Sequence, residues 1–252
     1  MLYGMYLSAT GMAMNRHAMD VIANNLANTD TVGFKRDQAV FRQRLQEALT
    51  SASGGQCQPE YLRAMTGGAF VSPTHTDFSQ GPTETTSRAL DIALQGPGML
   101  AVQDGEGTAY SRDGRLSLVG GRLVRAIDGR PVLDDGGRVI DLGSETPAGE
   151  VTIDSDGREL RKGKVEANLG IVEFENPQDL AKLGGNLFQA FESPKASGST
   201  RVVPGALEQS VVNPSQELVA MISTSRSYQI NTQMISIQDQ CLSRLVNELP
   251  KL

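Results

Sequence analysis

Residues 215–249 read SQELVAMISTSRSYQINTQMISIQDQCLSRLVNEL and contain neither glycine nor proline. One heptad position is apolar at every repeat, and Leu218 and Val246 lie one helical turn before its first and last members, which are Met221, Tyr228, Ile235, Leu242 and Leu249. The pattern predicts an amphipathic helix roughly 50 Å long, at about 1.5 Å per residue. A helix of this kind needs a partner that covers its apolar face.

A second heptad position is polar in the middle of this helix. It holds Ser225, Thr232 and Asp239 between Leu218 and Val246. If the helix is shared between subunits, these residues would face a wetter surface or a polar contact with a neighbouring subunit.

The first 26 residues repeat the same pattern. Their apolar heptad residues are Met5, Met12, Met19 and Leu26, with Ile22 at the second position. We predict a helix over residues 2–26 that pairs with the C-terminal helix as a coiled coil, in parallel or antiparallel orientation. Gly4 and Gly11 weaken this helix, but they also permit the close approach of another helix.

Composition limits the classes of protein that remain. Aromatic residues make up only 5% of the 252 residues and Trp is absent, which favours an elongated protein or one whose core is shared with neighbours. The net charge of −6 disfavours nucleic acid as the main partner, because that affinity depends on neutralising phosphates. No apolar run is long enough for membrane insertion, and no basic residue precedes Arg16, so we expect no cleaved signal peptide.

The middle of the chain has the pattern of strands. Apolar residues alternate from Leu90 to Leu94, and glycine-containing turn pairs then recur every seven or eight residues, at 113–114, 120–121, 128–129 and 136–137. This spacing predicts consecutive short hairpins. The predicted fold class is therefore α+β, with N- and C-terminal helices paired as a coiled coil and a central antiparallel all-β domain.

We expect four segments. Residues 1–35 would form the N-terminal helix and the loop after it, 36–88 an extended linker, 89–204 the central β domain, and 205–252 the C-terminal helix. Within the last segment, Ser215 is the expected N-cap, with Glu217 in the first helical turn.

No catalytic, cofactor or metal site is predicted. The two histidines, His17 and His75, lie on a predicted helix and in the linker, and no metal-ligand spacing accompanies them. Cys57 and Cys241 are far apart in sequence, and we expect both to be free thiols. The sequence therefore favours neither an enzyme nor a protein with a small-molecule substrate.

Arg112 and Asp113 are neighbouring opposite charges at a predicted turn. They could form a structural ion pair there or contact another subunit. The sequence DSDG at 154–157 begins like a calcium loop but lacks the later ligands, so we predict a β-turn.

Short phrases throughout the chain form a recognisable set. One follows the first helix, and its residues are Asn24, Asn25, Leu26, Asn28, Gly33, Phe34 and Lys35. Others are LDIALQG at 90–96, YSRDG at 110–114, GGNLF at 184–188 and GALEQSVVN at 205–213. Together they resemble the signatures of the bacterial flagellar basal-body rod and hook family. The pair Met99-Leu100 departs from the aromatic pair that many members carry.

The resemblance implies a structural role. Rod proteins of this family stack helically, with the terminal helices in an inner tube and the β domain outside. The implied partners are copies of this chain, other rod and axial proteins, and the flagellar export apparatus. The implied location is the basal-body rod where it crosses the periplasmic space. A proximal rod component is favoured, and a distal rod or hook component is the alternative.

Two sets of residues follow from this interpretation. The helical assembly surface is expected to contain the apolar heptad residues Met5, Met12, Met19, Ile22, Leu26, Leu218, Met221, Tyr228, Ile235, Leu242, Val246 and Leu249. Phe41 and Leu45, four residues apart, resemble the export-gate motif of early flagellar export substrates. They could equally be one face of a short helix.

A different class of protein is also compatible with the pattern. A freestanding binding module would carry a β domain and use its helices for a simple coiled-coil dimer. A discrete dimer at all concentrations would favour that class, whereas polymerisation or co-assembly would favour the rod.

Overall fold

A computed structural model describes residues 2–43, 68–105, 107–143, 149, 151–155, 157–161 and 164–248. Over these ranges the chain has a long helix at each end and a central region of antiparallel sheet, which confirms the α+β class. Helix α1 spans Leu2–Ala27 and helix α2 spans Pro214–Glu248. Neither of these helices is long and apolar enough to cross a membrane.

The chain forms two compact units. Unit 1 comprises Met1–Ala27, Asp37–His75 and Asn213–Leu252, and unit 2 comprises Asn28–Arg36 and Thr76–Val212. The strands in order are β1 Asp37–Gln43, β2 Ala69–Thr76, β3 Thr83–Thr85, β4 Ile92–Gln95, β5 Met99–Asp104, β6 Gly107–Ser111, β7 Leu116–Val119, β8 Arg122–Arg125, β9 Val151–Ile153, β10 Arg158–Arg161, β11 Lys164–Asn168, β12 Ile171–Glu173, β13 Ala181–Gly184, β14 Leu187–Gln189, β15 Lys195–Ala196, β16 Arg201–Pro204 and β17 Ala206–Glu208.

In unit 1 the two long helices pack against each other in antiparallel orientation. The backbone of Gly4 lies against the side chain of Gln238, and that of Gly11 lies against Asn231. Residues with higher numbers in α1 therefore contact residues with lower numbers in α2. This settles the orientation that the heptad pattern left open.

The N-cap of helix α2 lies two residues earlier than the sequence indicated. The N-cap is Asn213, whose side-chain Oδ1 accepts hydrogen bonds from the backbone N–H groups of Ser215 (3.1 Å) and Gln216 (3.3 Å). Pro214 occupies the first helical position, where its missing N–H has no helical partner to lose. The expectation that Ser215 caps the helix is therefore wrong, while Glu217 does lie in the first turn.

Unit 1 also contains a two-stranded sheet of β1 and β2. The imidazole of His17 on α1 meets the ring of Phe41 on β1 edge-to-face, with ring centroids 6.4 Å apart. Both strands lie in the segment for which the sequence predicted only an extended linker.

The core of unit 2 is a six-stranded sheet with the order β13-β14-β6-β5-β12-β15. Strand β5 is central and has buried side chains on both faces. Leu100 and Val102 join one apolar cluster, and Met99 and Ala101 join another. Met99 and Leu100 are thus both fully packed, on opposite faces of one strand.

The glycine turns are used in different ways. Gly120 and Gly121, both with positive φ, close the predicted hairpin between β7 and β8. The Asp113-Gly114 turn instead carries the chain out of the six-stranded sheet, since β6 pairs with β5 and β7 pairs with β8. A methyl group on Gly114 would lie 1.7 Å from the carbonyl oxygen of Ile92, so the chains approach too closely for a side chain.

Candidate functional site

The sequence phrases meet at one place in unit 2. We call this place the motif junction and define it as Val32–Lys35, Arg112, Asn186, Phe188 and Glu208. Within the motif junction, the backbone of Gly33 packs tightly against the backbone of Arg112. The N–H of Gly33 donates to the carbonyl oxygen of Glu208 (2.7 Å), its φ is +68°, and a methyl group on it would lie 2.5 Å from the carbonyl carbon of Arg112. Only glycine satisfies both the conformation and the space.

Lys35 is fully buried, and its ammonium group bonds to two segments that are distant in sequence. Its Nζ donates to Oε1 of Glu208 (2.7 Å) and to the carbonyl oxygen of Ser79 (2.6 Å). The same carboxylate oxygen accepts the N–H of Gly81 (2.8 Å). Burial lowers the pKa of Lys35 below its ordinary value, because desolvation outweighs the attraction of Glu208.

Arg112 occupies the other side of Glu208. Its Nη1 lies 3.4 Å from Oε2 of Glu208, and its Nη2 donates to the carbonyl oxygen of Gly96 (2.5 Å). Asp113 pairs instead with Arg115, at 2.6 Å. The expected Arg112–Asp113 ion pair is therefore wrong, because the two side chains of neighbouring residues pair in different directions.

Val32 is held by the GGNLF phrase, and Phe34 contacts Lys182 of the preceding strand β13. The ammonium of Lys182 lies 4.8 Å from the centroid of the Phe34 ring and 5.8 Å from that of Phe188. The Nδ2 of Asn186 donates to the carbonyl oxygen of Val32 (2.7 Å). Asn186 has a φ of +62°, a left-handed conformation that asparagine tolerates better than most residues.

The chemistry of the motif junction is that of a structural centre. Two buried cations, Lys35 and Arg112, share the single buried carboxylate of Glu208, so the three groups carry a net formal charge of +1. Most of their donors bond to backbone carbonyls or to this carboxylate. Within the described ranges, no three His, Cys, Asp or Glu residues are grouped so that they could hold a metal ion.

The earlier part of the signature lies in unit 1. The side-chain amide of Asn25 donates to the carbonyl oxygen of Asp37 (2.8 Å) and accepts from its N–H (3.0 Å), so it bonds this backbone as a neighbouring strand would. Leu26 is partly buried and Asn24 is exposed. Asn28, at the start of unit 2, accepts a hydrogen bond from the Thr31 hydroxyl (3.2 Å).

The predicted heptad residues fall into two groups. Most are partly buried, namely Met5, Met12, Met19, Ile22, Leu26, Met221, Tyr228, Ile235 and Leu242. Leu218 is 47% exposed. The side chain of Val246 and all of Leu249 lie outside the described part of the structure.

The inner face of α2 carries a second heptad position that the sequence analysis did not assign. Its members are Glu217, Thr224, Asn231 and Gln238, which alternate at spacings of three and four with the apolar series and are buried or partly buried like it. This position is polar from Glu217 to Gln238, and its next member, Leu245, is apolar and exposed. At the predicted polar position, Thr232 and Asp239 are exposed and Ser225 is partly buried.

The outer face of α2 carries apolar residues that the described part of the chain leaves exposed. We call this set the outward stripe, and its side chains are between 43% and 68% exposed: Val219, Ile222, Ile230, Met234, Ile237 and Leu245. Ile237 lies about 200° around the helix from Ile235 on the inner face. The sequence analysis missed this stripe because it followed only the strongest heptad position. The spacing of Ile230, Met234 and Ile237 would have indicated it.

Two further predictions concern single side chains. Phe41 lies in strand β1, so the alternative that it belongs to a short helix is wrong, and Leu45 lies outside the described residues. Cys241 is a free, exposed thiol on α2, and Cys57 also lies outside the described residues.

Comparison with known proteins accounts for these shared phrases. Residues 5–35 match the family described as "Flagella basal body rod protein", and residues 203–248 match "Flagellar basal body rod FlgEFG protein C-terminal". The chain is 32% identical to flagellar basal-body rod protein FlgG of Bacillus subtilis, over 98% of this chain and 99% of that protein. It belongs to the flagellar basal-body rod protein family.

Other members of the family are almost as similar. Flagellar hook-basal body complex protein FlhP of B. subtilis is 30% identical over 99% of this chain and all of that protein. Flagellar basal-body rod protein FlgF of Caulobacter vibrioides is 28% identical over 98% of each. The first matching family segment contains Gly33 and Lys35, and the second contains Glu208 and α2. The two segments therefore include the residues of the motif junction that come from the two ends of the chain.

Proposed function

We propose that this protein is a structural subunit of the bacterial flagellar rod. It assembles helically with copies of itself and with other axial proteins into the shaft that transmits torque. Family membership supports this role, and the observation that carries it is the outward stripe of α2. The stripe is an apolar surface without a partner in the described chain.

The free energy of covering this stripe favours assembly. Burying a large apolar side chain contributes about 1.5–3 kcal/mol, so six partly exposed side chains form a substantial surface for association. Ile230, Met234 and Ile237 follow one another at spacings of four and three residues and therefore adjoin on the helix surface. Adjoining exposed apolar residues of this kind mark interaction sites in soluble proteins. In a helical stack, the α2 helices of neighbouring subunits would supply the cover.

We further propose that α1 and α2 pair as a coiled coil within each subunit. The alternating spacing of three and four residues along the inner face of α2 supports this pairing. The apolar heptad residues of α1 and α2 are proposed to form the helical assembly surface together with the outward stripe.

The remaining details follow the family. The proposed location is the rod where it crosses the periplasmic space, after passage through the flagellar export apparatus. Phe41 and Leu45 remain the proposed export-gate motif. A proximal position along the rod remains a prediction from the sequence, with a distal position as the alternative.

A charge placed on the outward stripe tests the proposal. Ile237→Asp should abolish motility and remove the protein from isolated basal bodies, because a buried unpaired carboxylate opposes assembly. Ser236→Asp is the matched control, since it adds the same charge at the preceding exposed residue. Both variants would be expressed in a strain that lacks the gene, and soft-agar motility and immunoblots of basal bodies would be compared.

Two outcomes would contradict the proposal. One is normal motility of the Ile237→Asp strain with normal amounts of the protein in its basal bodies. The other is a null strain that assembles complete, rotating flagella. A discrete dimer of the purified protein at all concentrations, together with either result, would favour the binding-module class instead.

A further inference from the structure

Two glycines of α1 each face an amide side chain of α2. A methyl group on Gly4 would lie 2.6 Å from Nε2 of Gln238, and one on Gly11 would lie 2.8 Å from Nδ2 of Asn231. Neither distance is compatible with a side chain on α1 unless the amide moves. Each contact therefore pairs a glycine with a polar residue on the facing helix whose amide would have to move if the glycine were replaced.

The two contacts are one heptad apart on each helix, and the residue numbers rise along α1 while they fall along α2. Gly4 and Gly11 are seven residues apart, as are Gln238 and Asn231. Both contacts form together only in the observed register. If α1 slipped by seven residues one way, Asn231 would meet Ala18, which has a methyl group. After a slip the other way, Asn231 would meet Gly4, and only one of the two contacts would remain.

The apolar residues do not distinguish the observed register from one shifted by seven residues. Those of both helices repeat every seven residues, so a seven-residue slip brings apolar residues against apolar residues again. Polar side chains at inner positions of a helix pair are known to specify register at some cost in stability. In α2 these positions are polar at every heptad described above, from Glu217 to Gln238.

We propose that Asn231 and Gln238, seated against Gly11 and Gly4, determine the register in which α1 and α2 pair. The register is a property of the single chain and does not depend on the rod assignment. Its consequence for assembly does rest on the proposed function. A seven-residue slip moves α1 by about 10 Å along α2 and would displace the exposed Tyr6 and Leu7 relative to the outward stripe.

Cross-linking within the full-length purified protein measures the register. With both native cysteines replaced by serine, Met12→Cys is combined with Thr232→Cys, because Sδ of Met12 and Oγ1 of Thr232 lie 4.0 Å apart. Met12→Cys with Ser225→Cys or with Asp239→Cys reports the two slipped registers. A short thiol cross-linker traps each pairing even if the helices open transiently. The native pair should react at least about tenfold faster than either slipped pair.

The amides are then removed in the same assay. Asn231→Leu/Gln238→Leu should reduce this preference to about twofold or less, because leucine pairs equally well in every heptad register. The control is Gln233→Leu/Gln240→Leu, which makes the same chemical change at two exposed residues of α2. An unchanged preference, or an equal loss in the control, would overturn the proposal. So would the absence of any preference in the parent protein.

If the double leucine variant does not fold, a second pair of variants tests the same proposal. Gly11→Ala should reduce native cross-linking even though alanine favours helix formation more than glycine, because its methyl group displaces Asn231. Adding Asn231→Ala should restore native cross-linking, because the smaller residue leaves room for that methyl group. Failure of Gly11→Ala to reduce it would contradict the proposal. None of these measurements requires rod assembly, so they can fail while the rod assignment stands.

Discussion

Gly33 and Lys35 show how single residues of a signature act through distant parts of the chain. Gly33 lies against the backbone of Arg112, and Lys35 bonds to Glu208, which is 173 residues away in sequence. The sequence identified both residues as part of a signature. It could not show their partners, because nothing local in the sequence encodes a contact across such a distance.

Replacing Gly33 should destabilise unit 2 strongly. In Gly33→Ala the left-handed backbone costs about 1–2 kcal/mol and the overlap with Arg112 a further 1–3 kcal/mol or so. Gly120→Ala is the control, since Gly120 also has positive φ but nothing lies within 4 Å of the added methyl group. Urea unfolding of both variants should show a clearly larger loss for Gly33→Ala. Equal losses would mean that the Arg112 contact is unimportant.

The charge balance of the motif junction predicts which substitutions lower the free energy of unfolding most. Glu208→Gln leaves two buried cations without an anion and should lower the free energy of unfolding by about 3–5 kcal/mol. Lys35→Met leaves the Arg112–Glu208 pair and one carbonyl without its donor, so about 1–3 kcal/mol is expected. Asp141→Asn, in an exposed ion pair with Arg122, should change stability little. Denaturant titrations would check the order, and the reverse order would contradict this account of the charges.

The lowered pKa of Lys35 predicts a pH dependence. The folded protein releases this proton at lower pH than the unfolded chain, whose lysine has an ordinary pKa of 10.5. The free energy of unfolding should therefore rise with pH between the folded pKa and 10.5, by up to about 1.4 kcal/mol per pH unit. The difference in stability between wild type and Lys35→Met should grow over this window. A difference that is constant or shrinks would show that the pKa is not lowered.

At the scale of elements, the helices and the β7–β8 hairpin were predicted from the sequence, whereas strands β1 and β2 were not. The two helices follow from their heptad repeats, and α1 forms although it contains Gly4 and Gly11. Their observed bounds differ from the predictions by one or two residues. Strand β1 reads DQAVFRQ, which lacks a regular alternation, and β2 contains a proline. Such strands depend on the helix and strand beside them, so their local sequence carries little information about them.

The two faces of α2 should respond differently to the same substitution. Ile235→Asp or Leu242→Asp places a carboxylate on the inner face and should disrupt pairing with α1, which abolishes assembly while unit 2 stays folded. Amide NMR signals of unit 2 should be unchanged, and native cross-linking between α1 and α2 should be lost. By contrast, Ile237→Asp on the outward stripe should keep that cross-linking. Normal motility of the Ile235→Asp strain would show that the inner face is not needed for assembly.

At the scale of the whole molecule, the two units differ in how completely they bury their apolar residues. Unit 2 contains both buried apolar clusters and the motif junction. Unit 1 leaves the outward stripe of α2 and several apolar residues of α1 exposed. Unit 2 therefore resembles an independently stable domain, whereas we expect unit 1 to gain stability when neighbouring subunits cover it.

Limited proteolysis should detect this difference. In the purified monomer, cleavage is expected within α1 and within α2, whose ends open easily without neighbours, while unit 2 from Thr76 to Val212 resists. In isolated basal bodies both helices should be protected. Full protection of both helices in the monomer would contradict a shared assembly surface.

Localisation of the protein in isolated basal bodies tests the central claim most directly. An epitope tag placed in an exposed turn of unit 2, such as Gly136-Gly137, would be detected by immunogold electron microscopy in a motile strain. The account predicts labelling along the rod of every intact basal body. Intact, motile flagella whose basal bodies lack the protein would contradict it.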